Sequence, residues 1–148
     1  MRIAVAADSL DGIALQIPEA LAALGHEIVV HGALAEGVTE ADPQAVWSAC
    51  ARQAAVDVAA GRADQAVVAC WTGTGVSIAA NKVPGVRAAL CTDAATAAGA
   101  RRWNDANVLA LSLRLTSDQV LTEILEAWFG TGASQDPGDA AAISAVEY

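Results

Sequence analysis

The sequence predicts an α/β protein, a three-layer α/β/α sandwich with a five-stranded parallel sheet of the Rossmann-like kind. Short apolar segments alternate with longer segments of helical spacing along most of the 148 residues. Parallel strands need long crossover connections, which these helical segments supply. Because 55% of the residues are hydrophobic and only 4% are aromatic, the core must consist mainly of Ala, Val, Leu and Ile.

The first half of the chain is predicted to hold two strands and two helices. Arg2 to Ala7 is an apolar run closed by Asp and Gly residues, which is typical of a buried strand that ends in a loop. A helix from about Ile13 to Leu24 precedes a glycine, and Glu27 to Val30 is the second strand. Pro43 suits the first turn of a helix that extends to about Ala60. Helical spacing on that segment joins Trp47, Cys50, Ala54 and Val58.

The second half continues the alternation with three strands and three helices. A WTGTG turn follows the third strand, Pro84 ends the helix that contains SIAANK, and Asp93 is placed to cap the next helix. The predicted elements are strands at Gln65–Cys70, Val86–Cys91 and Val108–Leu111, and helices over SIAANK, from Asp93 to about Arg102, and over Asp118–Phe129. We assign one domain to residues 1–130 and treat residues 131–148 as a loose surface extension with room for a short terminal helix.

Charge and cysteine content exclude several classes of function. A net charge of −9 argues against a nucleic-acid partner, because phosphate contacts need clustered Lys and Arg. Three cysteines without a CxxC pair argue against a metal site or a redox pair and favour reduced thiols in the cytoplasm. The chain opens without a signal sequence and has no apolar run of membrane-spanning length. We therefore expect a cytoplasmic protein with no membrane contact, no metal and no cofactor.

Two residues follow strands at the edge where open α/β sheets bind ligands. Asp8 comes after the first strand and Cys70 ends the third. The adjoining Thr72–Gly75 loop opens a helix, whose unpaired N–H groups can hold an anion and favour a thiolate. Such a turn is also common as pure structure, and it lacks the Lys of a phosphate-binding loop. Cys50 and Cys91 are expected in the core.

A polar cluster before the fifth strand allows two interpretations. Asn104, Asp105 and Asn107 can hydrogen-bond substrate hydroxyls or only cap turns. Of the four tryptophans, Trp71 and Trp103 stand beside the two candidate loops rather than on a helical stripe, so they are candidates to line a pocket.

Longer motifs carry a resemblance to a known family. The run CWTGTGVSIAANKVPGVRAALCTD, followed by ARRWNDANVLAL and a closing LEAWFG, resembles the ribose-5-phosphate isomerase B and galactose-6-phosphate isomerase family. RIAVAAD, LGHEIVVHG and AAGRADQ extend the resemblance to nearly nine-tenths of the chain. The resemblance implies the same α/β fold and an aldose–ketose isomerase that works through a cis-enediolate without a cofactor.

The family's site residues transfer by position. Cys70 corresponds to the base, with Thr72 beside it, and the backbone from Gly73 through Thr74, Gly75 and Val76 to Ser77 corresponds to the anion hole. Asp8 and Asn104 correspond to ligands of the sugar, and Arg114 to an arginine that reaches a neighbouring subunit's site. The resemblance thus implies a small-molecule sugar or sugar phosphate as partner and a homodimer, with a tetramer as the alternative.

The chain also departs from the family pattern, as a divergent member. Ser9 stands where a phosphate-binding histidine is usual, and one residue is inserted after it. Trp103 replaces the histidine that helps to open the sugar ring, and an indole cannot relay protons. The tail lacks the arginines that hold phosphate, and Trp71 replaces a loop glycine. We expect Ser9 and Trp103 to remain in the binding site with altered roles.

Three functions are consistent with these departures. The first is an isomerase that keeps Cys70 as base and acts on a different sugar or sugar phosphate, such as an open-chain tetrose derivative. The second is ordinary pentose-phosphate isomerisation with compensating residues. The third is a non-catalytic sugar-binding paralogue or the structural subunit of a two-component isomerase, in which Cys70 is only a packing residue.

Overall fold

The computed structural model describes residues 1–147, so only Tyr148 lies outside the described part. Its single sheet has five strands in the order β2-β1-β3-β5-β4, and every neighbouring pair is parallel. This confirms the predicted fold. The strands are β1 (Arg2–Ala7), β2 (Glu27–Gly32), β3 (Gln65–Cys70), β4 (Ala88–Leu90) and β5 (Val108–Ser112).

Helices cover both faces of the sheet and form two separate cores. The core on one face lies between the sheet and α1, α4 and α5, and it includes Ile3 and Val5 of β1 and the fully buried Trp128 of α5. The other packs against α2 and α3 and is built mainly of Ala and Val. No helix among residues 1–147 is long and apolar enough to cross a lipid bilayer. The helices are α1 (Gln16–Ala23), α2 (Trp47–Ala59), α3 (Thr74–Asn81), α4 (Ala94–Asn104), α5 (Asp118–Phe129) and α6 (Pro137–Val146).

The first two helices are shorter than predicted. α1 starts three residues after Ile13, because a turn from Asp11 to Ala14 intervenes and no side chain caps its first turn. The segment that begins at Pro43 forms one 3₁₀ turn and then breaks at Val46, whose ψ of 133° is extended. The break leaves Trp47 at the start of α2 and 43% exposed, so it is not a member of the buried stripe.

The strand at the open edge of the sheet is also shorter than predicted. Val86 donates its N–H to Val83 in a turn, and Arg87 donates its N–H to the side chain of Asn107, so neither residue joins β4. The Asn81 amide bonds both the N–H and the carbonyl of Ala88, at 2.8 and 2.9 Å. The Asn81 side chain therefore satisfies the backbone hydrogen-bonding groups of Ala88 at the exposed edge of the sheet.

The tail is more ordered than predicted. α6 contacts α4, and Ser134 donates its N–H to the Arg102 carbonyl at 2.8 Å. Asp136 caps α6, and Pro137 occupies its first position. α4 itself ends two residues later than predicted, so Trp103 and Asn104 belong to its last turn rather than to a loop.

Candidate active site

Three polar residues stand in a row at the carboxyl ends of β1, β3 and β5. The strand register places Ala7 beside Ala69 and Cys70 beside Ser112, so Asp8 follows next to Cys70. The residues two positions earlier on these strands all pack toward α2 and α3. Because strand side chains alternate between faces, Asp8, Cys70 and Ser112 also belong to that face.

The thiol of Cys50 and the carboxylate of Asp8 lie near Cys70. Burial raises the pKa of Cys50 to about 12, and the nearby charges of Asp8 and Cys70 add to the shift. Cys50 is fully buried on α2, where its thiol donates to the Trp47 carbonyl. Burial also raises the pKa of Cys91, to about 11. Both thiols are therefore core residues, as predicted.

Asp8 carries an oxygen without a partner. Its Oδ1 is shielded from solvent and accepts no hydrogen bond from residues 1–147. Burial raises the pKa of Asp8; its backbone hydrogen bond opposes the shift, whereas the carboxylates of Glu40 and Asp11 add to it. A buried acceptor without a donor is costly, and a bound ligand or an ordered water can supply the donor. Asp8 is thus suited to bind a hydroxyl group.

The loop between β3 and α3 turns at Gly73, where there is no space for a side chain. This residue has a φ of 76°, and an added Cβ would lie 2.9 Å from the Leu111 carbonyl carbon. Gly73 caps α3 without offering a side-chain acceptor, so the first-turn N–H groups of Thr74, Gly75 and Val76 have no hydrogen-bond acceptor among residues 1–147. These three N–H groups can stabilise negative charge beside Cys70.

Two of the residues expected in the anion hole do not offer their N–H groups. Gly73 donates to the Cys70 carbonyl and Ser77 donates to the Gly73 carbonyl, both at 3.2 Å. Trp47 covers the loop from α2, because its ring lies 2.9 Å from the position of a Cβ added to Gly75. Thr72 is exposed at the mouth of the site.

Residues at the end of β5 form hydrogen bonds to the loop between β3 and α3. Leu113 donates its N–H to the Cys70 carbonyl, and Arg114 donates its N–H to the Trp71 carbonyl, at 2.9 and 3.1 Å. Ser112 adds a hydroxyl bond to the same Trp71 carbonyl at 2.9 Å. Trp71 and Arg114 are therefore neighbours at the mouth, and both are exposed.

The loop after β1 is lined with carboxylates. Ser9 donates its hydroxyl to Asp11, and Glu40 accepts the N–H of Leu10 at 2.9 Å. Leu10 is thus held by an acid from the connection between β2 and α2. Ser9 bonds within its own loop and presents no cation to the site.

Trp103 and Asn104 lie at the opposite end of the sheet from Cys70. They precede β5, whereas Cys70 pairs with its last residue, Ser112. Four residue steps along β5 separate these ends by about 13 Å. The two residues line a cavity of about 520 Å³ between β4, α4 and α6, which does not include Cys70. One chain therefore does not bring the predicted site residues together.

The remaining members of the polar cluster have turn roles. Asp105 has a φ of 42° after the last turn of α4 and pairs with both Arg87 and Arg101. Asn107 bonds the Gly85 carbonyl and the Arg87 N–H. Sequence reasoning missed Ser112 and Glu40. A polar residue that ends an apolar strand is a signal for Ser112, but Glu40 and Leu10 are 30 positions apart in the sequence, so that contact has no local signal.

Sequence comparisons identify relatives of known activity. Ribose-5-phosphate isomerase B of Escherichia coli is 40% identical over 114 residues, which cover 72% of this chain and 75% of that protein. D-erythrulose-4-phosphate isomerase 2 of Mycolicibacterium smegmatis is 33% identical over 110 residues, which cover 74% and 72% of the two chains.

Solved structures share the fold over nearly the whole chain. Ribose-5-phosphate isomerase B of Clostridium thermocellum superposes with a TM-score of 0.85 at 31% identity, covering 99% of this chain and 95% of that one. The type B enzyme of Trypanosoma brucei gives a TM-score of 0.82 at 35% identity, with 98% and 95% coverage. The family model described as ribose/galactose isomerase matches residues 3–144. With this match and these relatives, the chain belongs to the ribose/galactose isomerase family.

Proposed function

We propose that the protein is an aldose–ketose isomerase in which Cys70 moves a proton between C1 and C2 of an open-chain sugar. The position of Cys70 carries this proposal. Its thiol lies at the carboxyl end of a central strand, beside the first-turn N–H groups of α3 and the Oδ1 of Asp8, which have no hydrogen-bond partner among residues 1–147. Family membership supports the same type of reaction.

The chemistry requires a base and a group that stabilises negative charge. The Cys70 thiolate removes the proton from the hydroxyl-bearing carbon next to the carbonyl, and the electron pair forms the double bond of a cis-enediolate. The N–H groups of Thr74, Gly75 and Val76 stabilise its developing oxyanion. The thiol then returns the proton to the neighbouring carbon, while the remaining hydroxyl proton of the enediolate moves from one oxygen to the other and the new carbonyl forms. Hydrogen moves within one molecule, so neither an oxidant nor a cofactor takes part.

A second copy of the chain completes this site in our proposal. Asn104 cannot reach the Cys70 of its own chain, because the length of β5 separates them. A two-fold dimer can place Trp103 and Asn104 of one copy opposite Cys70 of the other. The exposed apolar side chains around the loop fit such an interface: Trp71 and Ile78 are each 54% exposed, and Leu115 is 62% exposed.

The substrate is proposed to be a short sugar that is already open. Trp103 stands at the family position that opens the ring, and its indole ring lies against Gly99 of α4. A four-carbon ketose needs no ring opening, and two relatives are named D-erythrulose-4-phosphate isomerases. We place the enzyme in the cytoplasm, which suits its three free cysteines.

Proton exchange tests the assignment of the base. The purified protein is incubated in D₂O with a panel of aldoses, ketoses and their phosphates, and deuterium at C1 or C2 is followed by NMR. Cys70→Ala should lower exchange at least about 100-fold, the usual contribution of a positioned base. Cys91→Ala, which removes a buried thiol elsewhere, is the matched control and should keep the activity. Equal exchange by Cys70→Ala, or none by the wild-type protein on any member, would refute the proposal.

Mixing inactive variants tests the shared site. Cys70→Ala and Asn104→Ala should each be inactive alone. After unfolding and refolding together, half of the dimers are mixed, and each contains one intact site, so about one quarter of the wild-type activity should return. A strictly monomeric mass in light scattering, or no recovery on mixing, would contradict the shared site.

A further inference from the structure

We propose that the indole ring of Trp47 is one wall of the sugar site and contacts the C–H groups of the bound substrate. The inference rests on the proposed isomerase function and adds a specificity-determining residue to the same site. It concerns the first residue of α2, which lies on a different element from Asp8, Cys70 and the N–H groups of α3.

The first argument is the position of Trp47 at the carboxyl edge of the sheet. A crossover helix in a parallel sheet begins near the carboxyl ends of the strands, so α2 begins at the edge where β3 ends in Cys70. Cys50 and Ala51, one turn after Trp47, are fully buried on the sheet side of α2. Residues three and four positions apart share a helix face, and helical side chains lean toward the helix N-terminus. Trp47 therefore continues the buried face of α2 beyond the edge of the sheet.

The second argument is that the ring spans the gap between α2 and α3. Both helices contact β3, and Cys50 of α2 lies near Cys70 at the end of that strand, so Cys70 lies below this gap. A Cβ added to Gly75 would lie 2.9 Å from Cε3, 3.0 Å from Cδ2 and 3.4 Å from Cζ3 of Trp47. The benzene half of the indole thus occupies the space that a side chain at Gly75 would need. It lies against the first turn of α3, whose N–H groups stabilise the enediolate in the proposed function.

The third argument is the surface that the ring leaves open. Trp47 is 43% exposed, but exposure alone does not distinguish it, because Trp71 and Trp103 are more exposed. The contact with Gly75 is what places Trp47 beside the N–H groups of α3. Sites for small molecules combine aromatic and apolar walls with a few well-placed polar groups. The open ring supplies an apolar wall for a site whose polar groups are Asp8 and those N–H groups.

An aromatic wall suits the chemistry of an open-chain sugar. The hydroxyl groups of such a substrate need hydrogen-bond partners, whereas its C–H groups gain dispersion energy and lose contact with water when they pack on a ring. A free sugar and its phosphate ester present the same C–H groups, so the contact serves both. At the carbons that do not react, the contact is the same in the substrate and in the enediolate. It therefore strengthens binding without accelerating the chemical step.

Kinetics with D-erythrulose and its 4-phosphate test the contact. Trp47→Leu fills the space over Gly75 with an apolar side chain but removes the flat ring, so it should raise KM about tenfold and leave kcat within about twofold. Trp47→Phe keeps an aromatic ring and should keep KM within about threefold of the wild-type value. Val46→Ala is the matched control, because it removes an exposed apolar side chain one position earlier, and it should leave KM unchanged.

A binding measurement on the unmutated chain tests the same contact without turnover. The protein is labelled with 6-fluorotryptophan, and the ¹⁹F resonance that is missing from the spectrum of Trp47→Phe belongs to Trp47. Erythritol and erythritol 4-phosphate have no carbonyl group and cannot isomerise. Addition of one or both should shift the Trp47 resonance and leave the resonance of the buried Trp128 unchanged.

The outcomes separate this inference from the proposed function. If the wild-type protein isomerises a sugar, an unchanged KM in Trp47→Leu overturns the inference alone, and so does an equal rise of KM in Trp47→Leu and Trp47→Phe. If the wild-type protein isomerises no sugar, the proposed function fails. A shift of the Trp47 resonance then still supports the wall, whereas a resonance that neither probe shifts overturns the inference as well.

Discussion

Gly73 offers a quantitative test of how rigidly the loop beside Cys70 is built. Alanine at this position must adopt a φ of 76°, which costs about 1–2 kcal/mol for a residue with a Cβ. The new Cβ would also lie 2.9 Å from the backbone of Leu111 and 2.6 Å from the Leu90 methyl. Such overpacking costs about 1–3 kcal/mol more. The free energy of unfolding should therefore fall by about 2–5 kcal/mol.

Gly37→Ala isolates the part of the loss in unfolding free energy that comes from the positive φ alone. Gly37 has the same φ of 76°, but an added Cβ there has no heavy atom within 4 Å. Its unfolding free energy should fall by only about 1–2 kcal/mol, with unchanged isomerisation. Urea unfolding of both variants gives the difference. Gly73→Ala should in addition lose activity about 10- to 100-fold, because the N–H groups of α3 move relative to Cys70. Equal stabilities for the two variants would show that the contact with Leu111 is not rigid.

Three further changes have expected outcomes. Burial favours a raised pKa for Asp57, but the hydrogen bonds and charges of Arg62 and His31 outweigh burial and hold the pKa below its usual value. The ionised Asp57 carboxylate should therefore stabilise the fold at neutral pH, and this stabilisation should be lost as the pH falls below about 4. Urea unfolding of the wild-type protein and of Asp57→Asn across pH 3–6 will measure the loss. Asn81→Ala removes both bonds to the β4 edge and should cost about 1–3 kcal/mol in the same assay. Trp103→His alone should not enable isomerisation of ribose 5-phosphate, because no phosphate ligand returns with it; rapid turnover of that sugar by the variant would contradict this view.

Local patterns sufficed for the elements with clear boundaries. β1, β3 and α5 have the predicted limits, because apolar runs there meet Asp, Gly, Pro or Ser residues. The segment after Pro43 was different: its apolar spacing continues through Val46, although the backbone breaks there. Periodicity shows which residues can face a core, but it does not show the packing of Trp47 over Gly75 in another element that accompanies the break.

The candidate site was predictable only in part for a similar reason. Residues that end strands, such as Asp8 and Cys70, were found because parallel strands bring their carboxyl ends to one edge. Glu40 was not found, because its contact with the β1 loop depends on the path of a connection without regular structure. Contacts between loops distant in sequence have no period, so a single sequence carries no direct signal for them.

Chain direction explains why Asn104 does not lie beside Cys70 within one chain. Both positions match family motifs, but α4 runs back across the sheet and delivers Asn104 to the amino end of β5. The alternation of strand and helix already contains this consequence, since every crossover helix in a parallel sheet starts near carboxyl ends and finishes near amino ends. A motif at the end of a helix therefore acts at the opposite edge from a motif at the end of a strand. Within one chain two such motifs lie at opposite edges of the sheet, so under the proposed function catalysis depends on the assembly of two copies.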